Sequence, residues 1–155
     1  MSTLRPQLSE LISDKKHSYV MLVALGGTPF LATSLAFLAG GMRKAAGVSY
    51  PNFYPTPQAV KENKDAYKYT CAQRSHANFM ENMSQAMISM LVAGLTYPKT
   101  SAALGAGWLV SRMLYAYGYI YSAKERGMGR QIGSGFWLCQ GLLWGLCMST
   151  ALTLL

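Results

Sequence analysis

Arg74, Asn78 and Glu81 stand at i, i+4 and i+7 of one largely apolar segment, a spacing that gathers them on one face of a helix. A later segment repeats the device with Arg112, Tyr115, Tyr119 and Arg126. Their separations of 3, 4 and 7 keep all four within about 60° of each other at 100° per residue. Ionisable groups in an apolar helix are expensive, so stripes of this kind point to a binding or catalytic purpose. Arginines match carboxylates through paired hydrogen bonds, a glutamate accepts from an ammonium, and tyrosine hydroxyls complete the set. The two stripes together suit a small polar anion that carries both carboxylates and an amine. The plainer alternative is an Arg–Glu pair that only ties helices together. Tyr117 and Tyr121 lie off the second stripe and read as aromatic belt residues at a membrane interface.

The elements that must carry these stripes are set by how the apolar residues are distributed. They make up 51% of the 155 residues, which is only slightly high, but they fall into blocks about 20 residues long. That length predicts membrane spans at about 19–42, 71–97, 102–121 and 132–154, within a single domain covering 1–155. Gly26, Gly27 and Pro29 interrupt the first span and read as tolerated helix breakers or close packing points. Residues 43–70 form the only long polar stretch, a proline-bearing loop whose last part, from about Gln58, begins the next helix. Pro98 to Thr100 leaves room only for an antiparallel helical hairpin. Before the first span, Leu4, Leu8, Leu11 and Ile12 sit at helical spacing and suggest a short interfacial helix. The fold class is all-α: an integral membrane four-helix bundle.

Other function classes fall away. The net charge of +8 is concentrated in loops between apolar blocks and fits topology and lipid headgroups. No nucleic-acid-binding motif accompanies it. Cys71, Cys139 and Cys147 share no metal-ligand spacing, and His17 and His76 lack companion ligands, so no metal site is expected. The polar start of the chain and the length of the first apolar run speak against a secretory signal. Nine basic residues belong to the first and third loops against four on the other face. That asymmetry places those loops, and the charged stripes beside them, toward the cytosol.

The run Cys-x-Gln-Arg-x-His-x-Asn-x-x-Glu at 71–81 resembles the signature of the MAPEG family, the membrane-associated proteins in eicosanoid and glutathione metabolism. The run from Gly107 to Tyr119 is similar to the type-3 microsomal glutathione S-transferases within it. The resemblance implies a homotrimer in the endoplasmic reticulum membrane, with glutathione bound between neighbouring subunits near the cytosolic face. By position it makes Arg43, Arg74, His76, Asn78, Glu81, Tyr115 and Tyr119 glutathione contacts, His76 falling where some members have glutamine. It places Arg126 where an arginine of leukotriene C synthase is thought to activate the thiol. Asn82 departs from the family by standing where that synthase has a glutathione-contacting tyrosine. Tyr69-Thr70 likewise replaces the usual Phe-Asn.

The resemblance implies a transferase or peroxidase in which glutathione is the co-substrate and a lipophilic electrophile or lipid hydroperoxide arrives from the bilayer. Physically this is feasible. A free thiol with pKa about 8.5 is only a few per cent ionised at neutral pH. A guanidinium about 4 Å away is worth at most about 4 kcal/mol at an effective dielectric near 20. Each pKa unit is about 1.4 kcal/mol, so half of that attraction ionises much of the thiol. Two rivals remain: a non-catalytic lipid-binding protein of the same family, which the arginines disfavour, and a transporter subunit using the buried charges as a pathway.

Overall fold

The computed structural model describes residues 15–153, and every regular element in that range is helical. The expected interfacial helix before residue 15 and the last residues of the fourth span lie outside the described residues. The first rod, α1, joins an α-helix at Lys15–Met21, a π-helical turn at Leu22–Gly27 and an α-helix at Thr28–Met42. The π turn is how the helix accommodates Pro29, which has no N–H to donate. Thr28 compensates by donating both its backbone N–H and its hydroxyl to the Val23 carbonyl, the latter at 3.0 Å. The breakers therefore re-route hydrogen bonds without ending the rod.

Helix α2 (Pro57–Glu62) begins at Thr56, whose hydroxyl accepts from the Ala59 N–H at 3.2 Å. Helix α3 (Lys64–Thr96) begins one residue later, where Asn63 leaves helical geometry and its side chain accepts from the Asp65 N–H at 2.8 Å. Its 33 residues make it about 50 Å long. A hydrocarbon layer is about 30 Å thick, so its polar first turns are long enough to project beyond one. Tyr97 alone separates α3 from α4 (Pro98–Tyr121), whose first residue is a proline that suits a helix start. The hairpin expected at 98–100 is thus tighter than the sequence suggests.

After α4 the chain doubles back as a 3-10 segment, Glu125–Gly133, before α5 (Phe136–Thr153). This corrects two readings. The fourth helix starts at Phe136, not near residue 132. The second stripe cannot be projected through Arg126, because α4 stops at Tyr121 and Arg126 adopts φ 53° and ψ 28°. Glycines make the doubling back possible. A Cβ on Gly129 would collide with Ser122 and the Gly118 carbonyl, and one on Gly133 with the backbone of Tyr115 and Ser111.

The four long helices share one apolar cluster, including Val20, Leu31, Phe79, Met90, Trp108, Phe136 and Leu143. Outward-facing side chains are also apolar: Phe30, Phe37, Leu138 and Met148 are each about 70% exposed or more. Two helices, Lys16–Met42 and Phe136–Thr153, are long and apolar enough to cross a membrane.

Candidate functional site

The structure joins the first stripe to the second through hydrogen bonds. Arg74 Nη1 donates to Glu81 Oε1 at 2.9 Å, two turns along α3, and Asn78 Nδ2 donates to Glu81 Oε2 at 3.2 Å. The Asn78 amide oxygen accepts from both Nη1 and Nη2 of Arg112 at 3.0 Å, which ties α3 to α4. Arg112 is 1% exposed, whereas the side chains of Arg74 and Glu81 are 48% and 51% exposed. The line therefore runs from a buried cation, through an amide, to an accessible carboxylate and guanidinium.

A buried charge needs more than one neutral partner. Arg112 finds it in an aromatic cage, with its Cζ 4.3 Å from the Phe136 ring centre, 5.0 Å from Tyr115, 5.5 Å from Phe79 and 5.6 Å from Trp108. Such contacts are worth about 0.5–2 kcal/mol each when desolvated. Tyr115 meets Tyr119 edge-on at 5.7 Å, extending the line toward the end of α4. Trp108 stands four residues before Arg112, on the second stripe itself, but an apolar ring at that spacing reads as core. Phe79 and Phe136 carry no distinctive spacing relative to the stripes.

Arg43 and His76 are elsewhere. His76 is two residues from Arg74, about 200° around the helix. It lines a cavity of about 240 Å³ with Arg43, Tyr50, Tyr69 and Gln73. The loop after α1 builds this cavity. Arg43 Nη2 donates to the Asn52 carbonyl, its Cζ lies 3.9 Å over the Tyr50 ring, and the Tyr69 hydroxyl donates to the Phe53 carbonyl at 3.0 Å. Burial raises the Tyr69 hydroxyl above its ordinary pKa, against a lowering by Arg43, so it stays a donor at neutral pH. Arg43 Nε is buried without a partner, an orphaned donor in this half.

Arg126 is exposed on the 3-10 segment, outside both groups. Arg130, which the sequence reading did not single out, lies nearer the tyrosines, with its Cζ 5.4 Å over the Tyr119 ring. Asn82 does not take up the missing tyrosine's place. It is 7% exposed and donates to the Asn78 carbonyl at 2.8 Å while accepting from Gln85 at 3.0 Å. Its role is internal to α3.

The MAPEG family pattern matches residues 21–149, which takes in both stripes, the cavity and the 3-10 segment. The chain belongs to the MAPEG family. Members of this family are membrane proteins and include glutathione transferases and related proteins. A 37-residue stretch is also 49% identical to an uncharacterized protein of Synechocystis sp.. It covers 24% of this MAPEG chain and 27% of that protein, so the match spans about a quarter of the relative.

Proposed function

We propose that this MAPEG protein is a glutathione transferase or peroxidase that resembles the type-3 microsomal enzymes. It would present the glutathione thiol to lipophilic electrophiles or lipid hydroperoxides from the surrounding bilayer. The observation that carries the reading is the hydrogen-bonded line Arg74–Glu81–Asn78–Arg112, leading to Tyr115 and Tyr119. Glutathione carries two carboxylates, an ammonium and a thiol. The accessible Arg74 suits a carboxylate, Glu81 suits the ammonium, and the tyrosine hydroxyls suit the remaining polar atoms. Arg126, on the segment folded against the tyrosine end, is the proposed cation for the thiolate. A thiolate so held opens an epoxide to a thioether, the alkoxide taking up a proton, or takes the outer oxygen of a hydroperoxide, whose remainder leaves as the alcohol. In the second case another glutathione then converts the sulfenic acid to glutathione disulfide and water.

Arg43 and His76 also suit a carboxylate, but they open on the opposite face of α3 from Arg74. One chain cannot bring both groups to one small ligand. Two neighbouring chains can, if the cavity face of one meets the stripe face of the next, and repetition of that head-to-tail contact closes a ring. A homotrimer of four-span subunits is the proposed assembly. It also accounts for α3 and α4, whose polar faces make them poor lone spans, since neighbouring chains would shield those faces from lipid. Their first and third loops, with the site, would face the cytosol of an endoplasmic reticulum membrane.

The test is calorimetric binding of glutathione to the detergent-solubilised protein, followed by turnover with a lipid epoxide, a lipid hydroperoxide and a small aryl halide. Binding at millimolar affinity or better, with turnover of at least one acceptor, is the expected outcome. Fatty-acid binding without any glutathione binding would move the protein to the non-catalytic lipid-binding branch.

A further inference from the structure

The Arg126–Gly127 turn is the most constrained piece of irregular backbone among the described residues. Both residues have positive φ, 53° and 65°, and among the described residues Arg126 is the only non-glycine of this kind. A side chain disfavours that conformation, so the surroundings must impose it. Three groups do so. Arg130 Nη1 donates to the carbonyls of both Arg126 and Gly127, at 3.2 and 2.9 Å. The Gly127 backbone lies beside the Tyr67 hydroxyl, and Tyr67 packs in one cluster with Cys71 and Tyr119. Gly127 itself lies flat against the Tyr119 ring, with no room for a Cβ. The Arg130 guanidinium then covers that ring at 5.4 Å.

We propose that Arg130 is a positioning residue, a clasp that holds the Arg126–Gly127 turn against Tyr119 and so fixes where the Arg126 guanidinium and the Tyr119 hydroxyl stand. Its consequence for thiol activation rests on the glutathione reading above. The Nη1 of Arg130 is committed to two carbonyls and its Cζ lies over the Tyr119 ring, whereas Arg126 is exposed, so the positioning role falls to Arg130 and the thiolate to Arg126. Lysine retains the charge and a donor but lacks a planar face to lay on Tyr119. Arg130→Lys should therefore restore only part of the function.

The clasp has a readout that needs no glutathione. Cys71 is 3% exposed, packed with Tyr67 and Tyr119. Releasing the turn frees both tyrosines and opens the thiol. In the full-length protein in detergent, alkylation of Cys71 by a small maleimide, followed by peptide mass mapping, should accelerate about tenfold or more in Arg130→Ala. Arg130→Lys should accelerate less, and Arg126→Ala should label at the wild-type rate. Gly127→Ala, which attacks the same joint from the other side, should behave like Arg130→Ala. With glutathione bound, Arg130→Ala should raise the thiol pKa read from thiolate absorbance and lower kcat about 10- to 100-fold, with KM for glutathione changed less than about threefold. The Arg126→Ala/Arg130→Ala double variant should lose little more than the worse single variant, since the two act as one unit.

Wild-type Cys71 labelling in both Arg130→Ala and Gly127→Ala overturns the clasp. So does a fully additive loss of kcat in the double variant. If Cys71 opens as expected but wild-type protein binds no glutathione, the clasp holds and the function reading falls.

Discussion

Helix α3 carries two polar faces, and they are built differently. On one, Arg74, Asn78, Glu81 and Arg112 bond to each other across two helices. On the other, Gln73 and His76 line a cavity closed by Arg43 and the loop after α1, and a buried Nε without a partner occurs on both faces, in Arg43 and in Arg112. The first face is a network that holds its shape without a ligand, anchored by a cation in an aromatic cage. The second face is a cavity wall, held by a loop and a helix end rather than by bonds between two long helices. In the proposed assembly, one wall of the site is thus rigid and set by helix packing, and the other is supplied by a loop.

The largest test of this contrast is Arg112→Ala. It leaves the Asn78 oxygen without either donor and opens a void inside four aromatic rings. Truncating a large buried side chain to alanine costs about 2–5 kcal/mol, so the unfolding temperature in detergent should fall sharply. Arg43→Ala should cost about 1 kcal/mol, one hydrogen bond to a loop carbonyl plus a ring contact. Equal losses from the two variants would break the contrast between a rigid wall and a loop wall.

Next in size is Arg74→Ala. It removes a half-exposed guanidinium from the rigid wall, so folding should be nearly intact while glutathione binding suffers. A lost charged hydrogen bond is worth about 1.5–3 kcal/mol, or a 10- to 100-fold rise in Kd by calorimetry. An unchanged Kd would return Arg74 and Glu81 to a purely structural pair.

The rigid wall was legible in the sequence because helical periodicity is enough to align Arg74 with Asn78 and Glu81, and Arg112 with Tyr115 and Tyr119. Periodicity also sets His76 on the opposite face from Arg74, although the sequence reading had joined them through family resemblance alone. The end of the third span at Tyr121 was legible too, where the apolar run gives way to basic residues, yet the stripe was carried past it to Arg126. What could not be read was how the chain turns beyond it, since the close contacts that turn it are made by Gly129 and Gly133 further on. Arg130 was missed for the same reason. Its contacts are backbone carbonyls and a ring brought near by that turn. Phe79 and Phe136 look like any apolar helix residues until Arg112 is placed among them, whereas Trp108 shares the stripe of Arg112 and is hidden only by being apolar.

A mixing experiment sharpens the claim that the two walls belong to different chains. Arg43→Ala and Arg74→Ala subunits each keep one intact wall. In randomly mixed head-to-tail trimers, about a quarter of the interfaces combine both intact walls. Co-expression should recover about that fraction of tight glutathione sites, while separately expressed variants mixed without exchange recover none. Equal site counts in the two preparations would mean that both walls act within one chain.

The smallest effect is expected at Tyr69, which ties the loop wall to α3 by donating to the Phe53 carbonyl at 3.0 Å. Tyr69→Phe removes this bond but keeps the ring that lies 5.9 Å from the Arg43 guanidinium. The loss should be about 0.5–1.5 kcal/mol in stability, with glutathione affinity reduced less than about tenfold through a looser Arg43. The pH dependence gives a separate check. Burial raises the Tyr69 pKa above its ordinary 10.0, so the folded state favours the neutral hydroxyl. That contribution is fully present below the unfolded pKa and is lost as pH rises through the folded one. Wild type and Tyr69→Phe should therefore keep a constant stability difference from pH 6 to 9 and converge only above pH 10. A difference that varied across neutral pH would point to His76, on the same cavity wall, as the titrating group that holds the loop.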